Sequence, residues 1–127
     1  MKYLSEYMEE KQSALFRETG SFFAFSKKQF DESMKDDVKY TSLGGGLICP
    51  SENAQKVVDG LEKIYVDSVQ EDLKENGKEN IIRRELYNHE CFYTHDYQGV
   101  ADGLSDYGIT LDEVKKIFYI EAQKFNG

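Results

Sequence analysis

Apolar residues recur every three to four positions along three long stretches of the chain, a spacing that predicts amphipathic helices. The first stretch covers residues 4–15, and the longest covers residues 54–73 and stops at Gly77. Gly60 interrupts the longest stretch and indicates that another element approaches there, since glycine costs a helix about 1 kcal/mol relative to alanine. The last stretch begins at residues 110–113, Thr-Leu-Asp-Glu, which match a capping box.

Shorter helices are predicted between these stretches. Residues 26–34 begin with a serine followed three positions later by a glutamine, which is a second capping box. Residues 81–86 repeat apolar side chains at helical spacing, in a helix that is either capped near Asn80 or continues the long helix after a break at Gly77. Residues 96–104 follow, with an aspartate at the start to cap them.

Two regions in the first half have the spacing of strands. Residues 22–25 form a short aromatic run, and residues 38–43 alternate apolar and polar side chains before continuing into the apolar residues 47–49. The three glycines 44–46 between them predict a sharp bend or a tight hairpin. The expected fold is therefore α+β: a mainly helical single domain over residues 1–127, with a two- or three-stranded antiparallel sheet in its N-terminal half.

Composition and charge narrow the functional classes. Of the 127 residues, 39% are hydrophobic, enough to build a core. The net charge of −8 argues against direct binding of nucleic acid or an anionic membrane and favours a basic partner. The N-terminal residues lack the apolar run of a secretory signal, and no stretch is apolar enough to span a membrane. Cys49 and Cys91 suit two free thiols in a reducing cytoplasm, so we expect a cytoplasmic protein.

The densest group of chemically reactive side chains lies in residues 85–96, which contain both histidines of the chain. Glu85 and His89 are four residues apart, so a helix would place them on one face, directed toward the protein body. His95 or Asp96 could then complete a site for a divalent transition metal. This segment predicts a metal-binding protein or a metal-dependent enzyme as one alternative.

The same residues allow a structural interpretation without any cofactor. In that case His89 is an interior histidine hydrogen-bonded to Glu85, and Asp96 caps the following helix. A third interpretation makes the segment a polar surface that contacts a partner.

Tyrosines and acids indicate where a partner protein could bind. Four tyrosines crowd the third quarter of the chain, and exposed tyrosines beside acids are typical of protein-recognition surfaces. Residues 40–76 contain seven acidic and three basic residues, which makes the long helix the most acidic part. The candidate contact residues are the tyrosines Tyr87 and Tyr93 and the acids Asp59 and Glu62. The other two tyrosines of the group are Tyr97 and Tyr107.

Two further motifs carry weaker chemical hypotheses. Cys49 precedes a predicted helix that has Pro50 in its first turn, and the helix dipole would favour its thiolate, but a buried cysteine at the end of an apolar strand is the stronger interpretation. The glycines 44–46 could cradle a phosphate through their backbone amides. They lack the lysine and hydroxyl residue of a P-loop, however, and a bend between strands accounts for them.

Three short motifs are spread over most of the chain: Phe22-Phe23-Ala24-Phe25-Ser26 with Gln29-Phe30, Cys49-Pro50-Ser51-Glu52-Asn53-Ala54, and Arg84-Glu85-Leu86-Tyr87-Asn88-His89-Glu90. Together they resemble a family of small uncharacterised proteins found in bacteria and their phages. The family has no assigned activity, so the resemblance implies a cytoplasmic origin and a mobile-element setting but no catalytic residue.

The sequence thus predicts a non-enzymatic protein-interaction module without a cofactor, which binds another protein. The alternative is metal binding through Glu85, His89, His95 and Asp96.

Overall fold

A computed structural model describes the backbone of residues 2–126 and the side chains of residues 2–124. The described residues are mostly helical and include a three-stranded antiparallel sheet in the N-terminal half, which confirms the predicted α+β class. The helices are α1 Leu4–Thr19, α2 Lys27–Ser33, α3 Ala54–Asn76, α4 Lys78–Asn88, α5 Cys91–Thr94, α6 Gln98–Gly103 and α7 Leu111–Asn126, and the strands are β1 Phe22–Phe23, β2 Tyr40–Gly44 and β3 Leu47–Pro50. Short 3-10 turns cover Ser51–Asn53 and Ser105–Tyr107. Contacts group the residues into two compact units, an N-terminal unit of residues 4–68 and a C-terminal unit of residues 2–3 and 69–126.

The sheet of the N-terminal unit has the order β1-β3-β2, with β3 in the centre and antiparallel to both neighbours. β2 and β3 form the predicted hairpin, and its turn residues Gly45 and Gly46 have φ angles of 60° and 83°, which glycine adopts without strain. The central strand buries Leu47 and Cys49 against Val57 of α3. The apolar run at residues 47–49 is therefore the core of this unit, as expected for a strand covered by a helix.

Local sequence signals set the start of α2. The Ser26 hydroxyl accepts a hydrogen bond from the Gln29 backbone N–H at 3.2 Å, and the Gln29 side chain accepts one from the Phe25 N–H at 2.6 Å. The first bond confirms Ser26 as the N-cap. The second differs from a capping box, because Gln29 accepts from the backbone of the residue before the cap and not from that of Ser26 itself.

Gly60 of α3 lies where α1 comes close. A Cβ atom added at Gly60 would stand 2.8 Å from the Leu15 side chain, nearer than real side chains approach. The expectation that this glycine marks a close approach is confirmed, and the packing of the two helices offsets its helix-propensity cost.

Pro50 was expected in the first turn of the long helix but ends β3 instead, and the 3-10 turn Ser51–Asn53 separates it from α3. Proline suits both positions because neither requires a donated backbone hydrogen bond.

The C-terminal unit begins with the last two turns of α3. Gly77, with φ of 77°, breaks the helix between α3 and α4, so the predicted break is confirmed. α4 packs against α7, and both bury apolar side chains. These core residues are Ile81, Ile82, Leu86, Val114, Ile117 and Phe118.

The predicted capping box of the last helix is present. The Thr110 hydroxyl accepts a hydrogen bond from the Glu113 N–H at 3.2 Å, and the Glu113 carboxylate accepts one from the Thr110 N–H at 3.1 Å. In the part of the chain that is described, no helix combines the length and the apolar character that a membrane crossing requires.

Candidate functional site

The segment 85–96 is divided between two helices and the turns that flank the second one. α4 ends at Asn88, and the one-turn helix α5 is bracketed by Glu90 and His95. Both bracketing residues have left-handed backbones, with φ of 54° and 59°, a conformation that is uncommon outside glycine. Because the helix stops at Asn88, the segment does not present one continuous helical face.

Glu85 and His89 remain close, with 3.5 Å between Glu85 Oε2 and His89 Nε2. The prediction that they pair is confirmed, but the expectation that His89 lies in the interior is wrong, since its side chain is 58% exposed. The reason is that His89 caps the C-terminus of α4 and leaves the buried helix face. The Glu85 carboxylate also accepts a hydrogen bond from Arg84 Nε at 2.8 Å.

The four candidate metal ligands are not joined into a cluster. His95 faces the ring of Phe118, with 6.1 Å between ring centroids, and Asp96 Oδ1 accepts a hydrogen bond from the backbone N–H of Gln98 at 3.3 Å. Among the residues whose structure is described, no three His, Cys, Asp or Glu side chains are grouped so as to hold a metal ion. The metal alternative is therefore not favoured, because Glu85 and His89 lie close together but no third ligand is grouped with them among the described residues.

Aromatic rings form a connected group on this side of the unit, which we name the aromatic cluster. Its centre is the buried Phe118 of α7, which stacks on Phe92 at 5.3 Å and contacts Tyr97 at 4.8 Å between centroids. Phe92 in turn contacts Tyr87 at 4.8 Å. The full cluster contains Tyr87, Phe92, His95, Tyr97, Phe118 and Tyr119.

The two predicted contact tyrosines both reach solvent. Tyr93 of α5, next to Phe92 in the chain, is 80% exposed, and Tyr87 is 47% exposed. The Tyr87 hydroxyl donates a hydrogen bond to Glu121 at 2.9 Å, which fixes the ring orientation. Burial and this bond raise the pKa of the Tyr87 hydroxyl, so it stays neutral at ordinary pH.

Glu121 is a buried carboxylate of α7 that is hydrogen-bonded to two side chains of α4. It accepts hydrogen bonds from Arg83 at 2.8 Å, Lys124 at 3.0 Å and the Tyr87 hydroxyl. Burial alone would raise the pKa of its carboxyl, but the bonds from Lys124, Arg83 and Tyr87 outweigh burial and lower it. Glu121 is therefore charged, and it positions an exposed ring of the aromatic cluster.

A second buried polar group, the buried ion cluster, consists of Asp72, Asn76, Arg84 and Tyr107. The Arg84 guanidinium donates two bonds to the Asp72 carboxylate, at 2.9 and 3.0 Å, and the Tyr107 hydroxyl donates a third at 2.7 Å. Asp72 is fully buried. Burial alone would raise the pKa of Asp72, but the bonds from Arg84, Tyr107 and Asn76 outweigh burial and keep it below its ordinary value.

Arg84 also ties the start of the chain to this cluster. Its Nη1 donates a hydrogen bond to the backbone oxygen of Lys2 at 2.8 Å, and its guanidinium lies over the ring of Tyr3, 5.6 Å from the centroid. The Arg84 guanidinium donates to Glu85, Lys2 and Asp72, and its side chain is buried. The buried ion cluster therefore has the features of a structural element rather than of a reaction centre.

Sequence reasoning missed this cluster and placed Tyr107 among the exposed tyrosines, which is wrong because Tyr107 is buried. A signal was present. Asp72 follows the buried Val69 by three residues, and Arg84 follows the buried Ile81 by three, so both fall on apolar helix faces. A charged residue within an apolar stripe predicts a buried, paired charge.

The acids of the long helix lie elsewhere. Asp59 and Glu62 of α3 are exposed residues of the N-terminal unit, and Asp59 accepts a hydrogen bond from the Gln55 side chain at 2.8 Å. Tyr87 and Tyr93 belong to the C-terminal unit.

The cysteines and glycines follow their structural interpretations. Cys49 and Cys91 are both free and buried, which confirms two free thiols. Burial raises the pKa of the Cys49 thiol, so the expectation of a helix-stabilised thiolate is wrong. The glycines 44–46 end β2 and form the turn to β3, as a bend between strands requires.

Four of the six residues of the aromatic cluster belong to a long acidic stretch of the chain, which we name the acidic segment. Residues 85–114 contain no lysine or arginine. They contain seven acidic residues, Glu85, Glu90, Asp96, Asp102, Asp106, Asp112 and Glu113. Exposed rings and carboxylates therefore occur together here without a positive side chain from the same segment.

Comparison with known proteins identifies the family but no activity. A family model described as a family of unknown function, DUF7659, matches residues 4–123. No curated protein and no solved structure matches the chain. Since the match covers nearly all of the sequence, the chain belongs to this family of unknown function.

Proposed function

We propose that the protein is a non-enzymatic interaction module that binds a basic segment of another protein through Tyr87, Tyr93 and the carboxylates of the acidic segment. The observation that carries the proposal is the exposure of Tyr93 and Tyr87 within thirty consecutive residues, 85–114, that lack any lysine or arginine. Tyrosine is among the residues that contribute most to protein interfaces.

The support beneath the Tyr87 ring favours binding. Phe92 stacks on the buried Phe118, and Tyr87 rests on Phe92 while its hydroxyl is held by Glu121. A ring that is already oriented loses less conformational freedom when a partner binds, so more of the contact energy appears as affinity.

Charge selects the kind of partner. The exposed acids Glu90, Asp96 and Asp102 lie in the acidic segment, and the whole chain carries a net charge of −8. Lysine and arginine side chains are attracted to carboxylates and to the faces of tyrosine rings. A basic segment of a partner satisfies both features at once.

The location and origin of the protein are also part of the proposal. Two free thiols suit a reducing cytoplasm, and we propose a cytoplasmic protein of bacterial or phage origin.

Binding to short arginine- and lysine-rich peptides, with an acidic peptide for comparison, tests the proposal. The chain has nine tyrosines and no tryptophan, so tyrosine fluorescence reports directly on binding. We expect the basic peptides to bind, more weakly at higher salt, and Tyr93→Ala to lower the affinity about tenfold or more, the equivalent of roughly 1.4 kcal/mol.

The matched control is the double variant Asp59→Asn with Glu62→Gln, which removes two acids from α3. We expect it to bind the basic peptides as the unmodified protein does. If this variant loses binding while Tyr93→Ala retains it, the long acidic helix is the binding surface and the proposal is wrong.

Metal content separates the proposal from the alternative function. We expect thermal stability to be the same with and without a chelator. Copurified zinc, nickel or manganese that raises the unfolding temperature, and whose effect is lost in His89→Ala, would instead support metal binding.

A further inference from the structure

A cavity of about 330 Å³ opens beside the aromatic cluster. It is lined by His89 at the end of α4, Thr94 at the end of α5, Asp96, and Gly99 and Val100 of α6. Its volume is at the lower end of the range of ligand sites, roughly 300 to 1,000 Å³. The cavity is therefore large enough for a polar side-chain terminus and not only for one water molecule, which occupies about 30 Å³ in the liquid.

The lining is rich in hydrogen-bond acceptors. Asp96 presents a carboxylate that accepts one bond from the Gln98 backbone, and a carboxylate has about four acceptor positions. The Thr94 hydroxyl accepts one bond from the backbone N–H of Asp96 at 3.2 Å and, since a hydroxyl has two lone pairs, can accept a second. None of the five lining residues is a lysine or an arginine.

We infer that this cavity receives the guanidinium group of one arginine side chain from the partner protein. The inference rests on the proposed function and adds which group of the partner is recognised and where. A guanidinium is planar, always charged, and carries five N–H donors, so it can bond to the Asp96 carboxylate and to a second acceptor together. The ammonium group of lysine is a compact and strongly hydrated point charge, which uses such a lining less well.

The glycines of α6 provide a direct test. A Cβ added at Gly99 or at Gly103 meets nothing within 4 Å, and neither residue has a positive φ, so both positions accept a larger side chain without strain. Gly99 lines the cavity, whereas Gly103 is in the same helix but is not a lining residue. Gly99→Leu therefore obstructs the cavity, and Gly103→Leu is the matched control.

The probe is a short peptide with a single arginine, compared with the same peptide carrying lysine or the neutral isostere citrulline. We expect the arginine peptide to bind at least tenfold more tightly than the citrulline peptide. Gly99→Leu and the nearly isosteric Asp96→Asn should each weaken arginine-peptide binding about tenfold, equivalent to roughly 1.4 kcal/mol, while Gly103→Leu leaves it unchanged. Circular dichroism of each variant verifies that it is folded.

The outcomes distinguish this inference from the function on which it rests. Unchanged binding in both Gly99→Leu and Asp96→Asn, with loss in Tyr93→Ala, overturns the cavity assignment and leaves the interaction surface in place. Unchanged binding in all three variants overturns both. Equal affinity for the citrulline peptide, or affinity for free arginine equal to that for the peptide, also contradicts recognition of a partner's guanidinium.

Discussion

The buried ion cluster and the acidic segment meet at neighbouring residues of one helix, yet they differ in almost every physical respect. Arg84 is buried and bonded to Asp72, to Glu85 and to the start of the chain. The acidic segment begins at the next residue, Glu85, and includes the exposed side chains of His89 and Tyr93. The dense group of reactive side chains in residues 85–96 lies largely at the surface. The isolated charges Asp72 and Arg84, which fall within apolar helix faces, lie in the interior.

The physical reason is the cost of removing a charge from water. A charge is retained in the interior only when close partners satisfy it, and the Asp72 carboxylate accepts four hydrogen bonds within 3.0 Å, donated by three residues. The carboxylates of Glu90, Asp96 and Asp102 are exposed and remain in contact with water, so they carry no such cost. The two regions can be separated by experiments that affect either stability or binding.

Arg84→Met should have the largest effect on stability. It leaves the fully buried Asp72 without its cationic partner, which costs about 3 to 5 kcal/mol of the free energy of unfolding. Urea unfolding followed by circular dichroism measures this loss. The double variant Asp72→Leu with Arg84→Met removes both charges and should be less destabilised than the single variant. A loss below about 1 kcal/mol in the single variant would show that the ion pair is not important for folding.

Acidification should destabilise the protein through both buried carboxylates together. The pKa values of Asp72 and Glu121 are lowered in the folded state, so the unfolded chain takes up more protons at low pH. Their contribution to stability is complete above the ordinary carboxyl range, near pH 4, and is lost as the pH falls further. Urea unfolding over a series of pH values measures the slope. Glu121→Gln should reduce the slope, and equal slopes in both proteins would refute the assignment.

Tyr107→Phe should have a smaller effect, because it removes one hydrogen bond and keeps the ring. Its hydroxyl donates to the Asp72 carboxylate at 2.7 Å, and hydrogen bonds to charged groups contribute about 1.5 to 3 kcal/mol. Thermal and urea unfolding provide the measurement. Tyr93→Phe is the control, since it removes an exposed hydroxyl and should leave stability unchanged. If the two variants are equally stable, Tyr107 does not support the cluster.

Tyr93→Ala should have the smallest effect on stability, within about 0.5 kcal/mol, since its side chain is 80% exposed. The same variant is expected to weaken peptide binding, so it separates binding from folding. A large loss of stability in this variant would place Tyr93 in the structural core and remove the central support for the interaction surface.

Much of the fold could be predicted because its signals are local. The helix caps at Ser26 and Thr110 each accept a hydrogen bond from the backbone N–H three positions later, as expected, and Thr110 also forms the complete capping box with Glu113. Gly77 indicated the break between α3 and α4, and Gly60 indicated the position where α1 packs closely against α3. In each case the sequence constrains the backbone or the space around it within a few residues.

The candidate site was harder to predict. The pairing of Glu85 with His89 followed from helical spacing, but the orientation of His89 depended on where α4 ends. Glu90 and His95, which flank α5, have left-handed backbones although neither is a glycine, so no signal in the sequence indicated them. A helical-face argument continued past Asn88 therefore led to the wrong orientation.

The sequence by itself determined the α+β class, the helix boundaries marked by caps and glycines, and the segment that contains exposed tyrosines among acids. These depend on local hydrogen bonds and on the period of the apolar residues. Only the tertiary structure decided that Tyr107 and Arg84 meet Asp72, and that Phe118 supports Phe92 and Tyr97. Those contacts join residues 12 to 35 positions apart, and the packing of helices, not local propensity, brings them together.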